Sequence, residues 1–193
     1  MSGTILHSAD TVLVVIDVQE RLAAVMPRRD QVLGTVAFLC AVARVVGVDV
    51  AVTRQYPAGL GDVEPEIRAV LEQGASHGMR VSYSDKMAFD CFAEPSFCEA
   101  LEATGCRQLL LVGMESHICV TQTALSAVDR GYDVHVCADG CCAREADAHA
   151  LALERLRAAD ATVTVSESAA YELIGVAGTP EFKELLRLVK QRS

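Results

Sequence analysis

The stretch "TVLVVIDVQ", residues 11–19, decides the fold. It is a nearly unbroken apolar, β-branched run that ends on an acid and an amide. A half-buried strand alternates apolar and polar residues; a run like this one belongs to a strand covered on both faces. Strands of that kind lie in parallel sheets flanked by helices, so the neighbouring segments should be helical.

They read that way. "DQVLGTVAFLCAVARVVG", residues 30–47, has helical spacing, with Asp30 as candidate N-cap and Gly47 as the stop. "VDVAVTR", 48–54, is a second strand, and "EPEIRAVLEQG", 64–74, a helix opened near Pro65. The rhythm then repeats: strand 79–86, helix 96–105 capped at Ser96, strand 107–114, helix 116–131, strand 132–139, helix 144–160 and strand "ATVTVSES", 161–168. A last helix, 179–191, is opened by Thr179 and Pro180. Strands that alternate with helices form βαβ units. The expected fold is therefore α/β, a three-layer αβα, Rossmann-like sandwich on a six-stranded parallel sheet of order 3-2-1-4-5-6. With no repeat, low-complexity tract or linker, residues 1–193 are expected to form a single domain.

Composition narrows the function. The chain carries a net charge of −9 and no basic stripe, so no nucleic-acid partner is expected. The opening "MSGTILHSAD" has no charged n-region and apolar core, and no apolar run approaches the roughly 20 residues that span a bilayer. These features fit a cytoplasmic enzyme or binding protein with no membrane partner. The eight cysteines read as reduced thiols in a well-filled core rather than as a disulfide framework. Cys141 and Cys142 are adjacent, but "DGCCAR" brings no histidine to them, and no metal site is expected. After "LVVID" there is no Gly-x-Gly, and GxxxxGK[ST] is absent, so no nucleotide cofactor is expected.

In such a sheet, ligands sit beyond the carboxyl ends of the strands, near the point where strand order reverses. Asp17 ends the first strand, Lys86 ends the third, and Cys119 lies in the first turn of the helix after the fourth. Each has a bland reading on its own: a turn residue, a solvated charge, a small apolar side chain. Together they form a catalytic set. Ser116 as N-cap would place Cys119 at the third helical position. There the helix dipole and the Lys86 ammonium would favour thiolate. Asp17 would move the proton, and backbone N–H groups at the helix start would hold an oxyanion.

"LVVIDVQERL", "KMAFDCF" and, above all, "LLLVGMESHICVTQTALSAVDRGYDVHVCADGCCAR" resemble the isochorismatase-like superfamily over nearly the whole chain. These are cysteine hydrolases that include nicotinamidases. The chain is most similar to isochorismatase domain-containing proteins and YcaC-type hydrolases. The resemblance implies a catalytic Asp17, Lys86 and Cys119, a cis peptide between Met114 and Glu115, and an oxyanion hole from the N–H groups of Glu115 and Cys119. Nicotinamidases carry a metal-binding Asp-x-His after the second strand; "TRQYPAGLG" has no histidine there. Residues next to the triad in sequence, Gln19, Tyr56, Phe89 and His117, are candidates for the substrate pocket. His117 is equally readable as a helix-start residue bonded to backbone. Cys91 is readable as filler, and Glu115 as a negative charge at the cleft. The function expected is cleavage of a C–N bond in a small amide or carbamoyl compound through a thioester. Alternatives are a binding or scaffold protein with an idle triad, and isochorismate-type cleavage of a vinyl ether. The small-molecule substrate would be met by a homo-oligomer, given the apolar composition and the family's dimers to octamers.

Overall fold

The computed structural model describes residues 5–192. The first four residues of the segment read above for an export leader lie outside them, as does residue 193. Strand β1, Thr11–Ile16, is buried along its whole length. Leu13 and Val15 point into one apolar cluster, and Val12, Val14 and Ile16 into another on the opposite face. This is why the run does not alternate with polar residues: both faces are dry.

Five further strands complete the sheet, each parallel to its neighbours: β2 (Asp49–Gln55), β3 (Val81–Lys86), β4 (Gln108–Met114), β5 (Asp133–Cys142) and β6 (Thr162–Thr164). Their order is β3-β2-β1-β4-β5-β6, as the sequence led us to expect. In chain order the α-helices are α1 (Glu20–Ala23), α2 (Arg29–Val46), α3 (Pro57–Leu60), α4 (Pro65–Ser76), α5 (Pro95–Glu102), α6 (Thr121–Asp129), α7 (Ala146–Ala158), α8 (Ser166–Ile174) and α9 (Pro180–Arg192). Helices α2, α4, α8 and α9 cover one face, and α5, α6 and α7 the other. None of the described helices is long and apolar enough to cross a membrane.

Four local readings change. Helix α2 starts at Arg29, so Asp30 sits in its first turn rather than capping it. Likewise α5 starts at Pro95, with Glu94 in the cap position in place of Ser96. The sixth strand stops at Thr164, and "SESAAYELI" is helical. There the Asp139 carboxylate accepts the Ser166 N–H at 2.8 Å and also the Ser166 hydroxyl. A cap supplied from β5 cannot be seen in the local sequence. Strand β5 also runs on to Cys142, because a register shift after Leu111 lets Cys141 and Cys142 pair with Gly113 and Met114.

Burial pushes the Cys40, Cys91 and Cys141 thiols up to about 12 and that of Cys142 to about 11. A folded value above the unfolded one stabilises the protein fully below the unfolded value, and that contribution is lost as pH rises through the folded one. The unfolded chain begins to release these protons near pH 9, while the folded chain keeps them. Urea midpoints measured under reducing conditions should therefore hold steady from pH 7 to 8 and fall steadily above 9. A midpoint that stays flat to pH 11 would contradict this burial.

Candidate active site

The carboxyl ends of β1, β2 and β3 carry a connected set of polar groups. Asp17 follows β1 directly and takes a left-handed backbone, φ 53°, which aspartate tolerates better than most residues. This turn aims its carboxylate back across the end of the sheet, where it is fully buried. Lys86 is the last residue of β3, two strands away, and its side chain is 0% exposed. Its long stem crosses the end of β2 and brings Nζ to 2.6 Å from Asp17 Oδ2.

The residues of β2 complete this link. The Thr53 hydroxyl donates to the other Asp17 oxygen at 2.8 Å. Gln55 Oε1 accepts from Lys86 Nζ at 2.8 Å, and Gln55 Nε2 donates to the Met87 carbonyl at 2.8 Å. Both carboxylate oxygens and the ammonium are thus satisfied, as a buried charge pair requires. Sequence reasoning missed these partners. Their signal was present in "VAVTRQ", where Thr53 and Gln55 recur at the period of two that puts them on one face of the strand.

Cys119 comes from the other side of the switch point. Beyond β4, residues Ser116–Val120 form one wide π-helical turn before α6 begins at Thr121. Ser116 therefore lies inside this turn rather than capping a regular helix. The Ser116 carbonyl accepts from Thr121 Oγ1 at 2.6 Å, and its hydroxyl lies 2.7 Å from His149 Nδ1. The Met114–Glu115 peptide bond just before the turn is cis. Gly113 has φ +132°, and a Cβ there would meet the Ile16 carbonyl oxygen at 2.0 Å. Only glycine lets β4 pass so close to the end of β1.

Cys119 is 5% exposed and lies close enough to Asp17 and Lys86 for both charges to act on its thiol. Burial raises its pKa and the Asp17 charge adds to the rise, while Lys86 opposes it. The resting sulfur therefore keeps its proton, contrary to the thiolate expected from the helix start. Burial dominates here, and a motif does not reveal depth. For Lys86, burial works against the charge, but Asp17 and the neighbouring thiols prevail and its pKa is raised.

The other candidates separate into supports and rim. Gln19 is fully buried and does not line an opening. It clamps the end of β2, accepting from Gln55 N at 2.8 Å and donating to the Gln55 and Gly61 carbonyls. Glu115 does not stand as a bare charge at the cleft: its carboxylate accepts from Arg144 N at 2.9 Å and Nε at 3.2 Å. Cys91 is buried, with its N–H donating to Thr123 Oγ1 at 3.1 Å. Tyr56 and Phe89 are 50% and 52% exposed and flank the chain at Lys86, and His117 is also exposed.

This fold and site define an α/β protein with a carboxylate, an ammonium and a thiol meeting at the switch point of its sheet. The isochorismatase domain profile matches residues 11–168, and the chain belongs to the isochorismatase family. Isochorismatase domain-containing protein 2 of Bos taurus is 36% identical over 184 residues, 95% of this chain and 84% of its own length. Among solved structures, the MAR1 ribonuclease of Caenorhabditis elegans superposes with a TM-score of 0.86 at 29% identity, over 97% of this chain and 93% of its own. The octameric YcaC hydrolase of Escherichia coli, of unknown specificity, matches with a TM-score of 0.81 at 21% identity over 100% of both chains.

Removing one member of a buried ion pair strands the other, at a cost of about 3–5 kcal/mol. Lys86→Met should lose stability on that scale in urea unfolding at pH 7. Adding Asp17→Asn should recover part of the loss. A single variant as stable as the native protein would contradict the wholly buried pair.

Proposed function

We propose that this member of the family is a cysteine hydrolase that cleaves the C–N bond of a small amide or carbamoyl compound. The observation that carries the reading is the meeting of Cys119 with the buried Asp17–Lys86 pair, which supplies a nucleophile, a proton carrier and a fixed cation in one place.

The reaction begins with the thiol protonated. As the sulfur attacks the substrate carbonyl, its proton passes to Asp17 and the C–S bond forms. The carbonyl electron pair moves onto oxygen, where the N–H groups of Glu115 and Cys119 receive it. The intermediate collapses with loss of the C–N bond, and Asp17 returns the proton to the departing nitrogen. Asp17 then takes a proton from water, which attacks the thioester. The C–S bond breaks, the carboxylic or carbamic product leaves, and the sulfur regains its proton. Lys86 stays charged throughout and holds the Asp17 carboxyl in its aim. Tyr56, Phe89 and His117 form the rim that meets the substrate, and Gln19 holds the end of β2 in place.

Every cysteine is free, which suits the reducing cytoplasm. The octamer formed by the YcaC neighbour supports a homo-oligomer here.

The test is a panel of small amides and carbamoyl compounds, with intact-protein mass spectrometry to trap an acyl adduct on Cys119. Cys119→Ala should cut turnover by about a thousandfold or more while leaving the folded state intact, and Asp17→Asn should cut it as far per folded molecule, in a protein destabilised by the stranded Lys86. Turnover that survives Cys119→Ala would point to vinyl ether cleavage instead. No turnover across the panel, with Cys119 unmodified, would point to a binding protein.

A further inference from the structure

A pocket lies in the groove between α5 and α6, close to the start of β5. It measures about 370 Å³ and is lined by Phe92, Cys98, Glu102, Arg107, Arg130 and Tyr132. Two arginines share this opening in a chain of net charge −9. Their mounting is the informative part.

The Arg130 guanidinium sits over the Phe92 ring, 4.6 Å from its centre, and Arg107 sits 5.6 Å from the centre of the Tyr132 ring. The two rings are themselves in contact, with centroids 5.8 Å apart. Each guanidinium is also anchored through one nitrogen to a backbone carbonyl: Arg130 Nη1 to Ser126 at 3.1 Å, and Arg107 Nη2 to Gly131 at 3.4 Å. The remaining nitrogens of each fork have no hydrogen bond or ion pair among the described residues. Arg29, Arg54, Arg80 and Arg187, by contrast, each meet a carboxylate within 4.0 Å. Glu102 lines the same pocket, yet it pairs with neither arginine among the described residues.

Two cations are thus held on aromatic plates with donors to spare and the local acid unused. A planar fork with its side-chain freedom already reduced is suited to bidentate capture of an oxyanion. We infer that this pocket binds a phosphate group, free or esterified on a small molecule, between Arg107 and Arg130. Stacking on Phe92 and Tyr132 fixes the forks, and the two positive charges match a phosphate dianion. Glu102 at the margin opposes the ligand's charge and keeps the affinity moderate.

The test titrates inorganic phosphate, and separately glycerol 3-phosphate, into the native protein at low constant ionic strength with chloride as the control ion. Amide NMR spectra should show a saturable shift confined to residues around Arg107, Arg130 and Tyr132. Tighter binding of the ester would indicate a small-molecule ligand, and tighter binding of the free ion a phosphate site. Arg107→Gln and Arg130→Gln should each weaken binding by about tenfold or more. Both positions are exposed, so the fold should persist, and far-UV circular dichroism checks it. Glu102→Gln should instead tighten binding by about threefold, a gain that damage to the fold does not produce. No saturable shift with either probe, in the native protein and in Glu102→Gln alike, overturns the inference. So does binding unchanged by both arginine substitutions.

Discussion

The buried contact between the Lys86 ammonium and the Asp17 carboxylate is the constraint around which the carboxyl end of the sheet is arranged. Neither charge reaches solvent, so each depends on the other and on Thr53 and Gln55 for the hydrogen bonds that water would otherwise supply. This requirement explains several features at once. Asp17 accepts a left-handed backbone to aim its carboxylate. Gln19 holds Gln55 by its backbone, and Gln55 in turn holds Lys86. Tyr56 N donates to the Lys86 carbonyl, which fixes where the lysine leaves the strand.

The same pair sets the charge state of its surroundings. One positive and one negative group cancel, and Cys119 beside them keeps its proton because burial and Asp17 both disfavour a second anion. Glu115 is neutralised in turn by Arg144. The surroundings of the sulfur, acidic residues included, are thus close to neutral. Charge counting along the chain would have suggested otherwise.

What the sequence disclosed and what it withheld follow from the range of the forces involved. The β-branched run at residues 11–16 and the helical spacing after it are local patterns, so strand count, order and parallel pairing were legible. The positions of Asp17, Lys86 and Cys119 at strand ends were legible for the same reason. Their partners were not, because the bonds that Thr53 makes to Asp17 and Gln55 to Lys86 depend on the register of β2 against β1 and β3. Helix α8 was hidden because its cap comes from Asp139 on another strand. The protonated state of Cys119 was hidden because burial belongs to the folded molecule alone. Gln19 was noticed for its place next to Asp17, but its work as a clamp depends on Gly61, 42 residues away.

The reach of Lys86 has one more effect. Strand β3 stands at the margin of the sheet, where backbone pairing on one side is missing and fraying is ordinarily easy. Its last side chain is tied to the central strand beneath the end of β2. Peeling β3 away would drag a naked ammonium out of the interior and leave a naked carboxylate behind. The rim of this sheet is thereby made to open together with its middle, so the least protected strand by position becomes one of the most protected by chemistry.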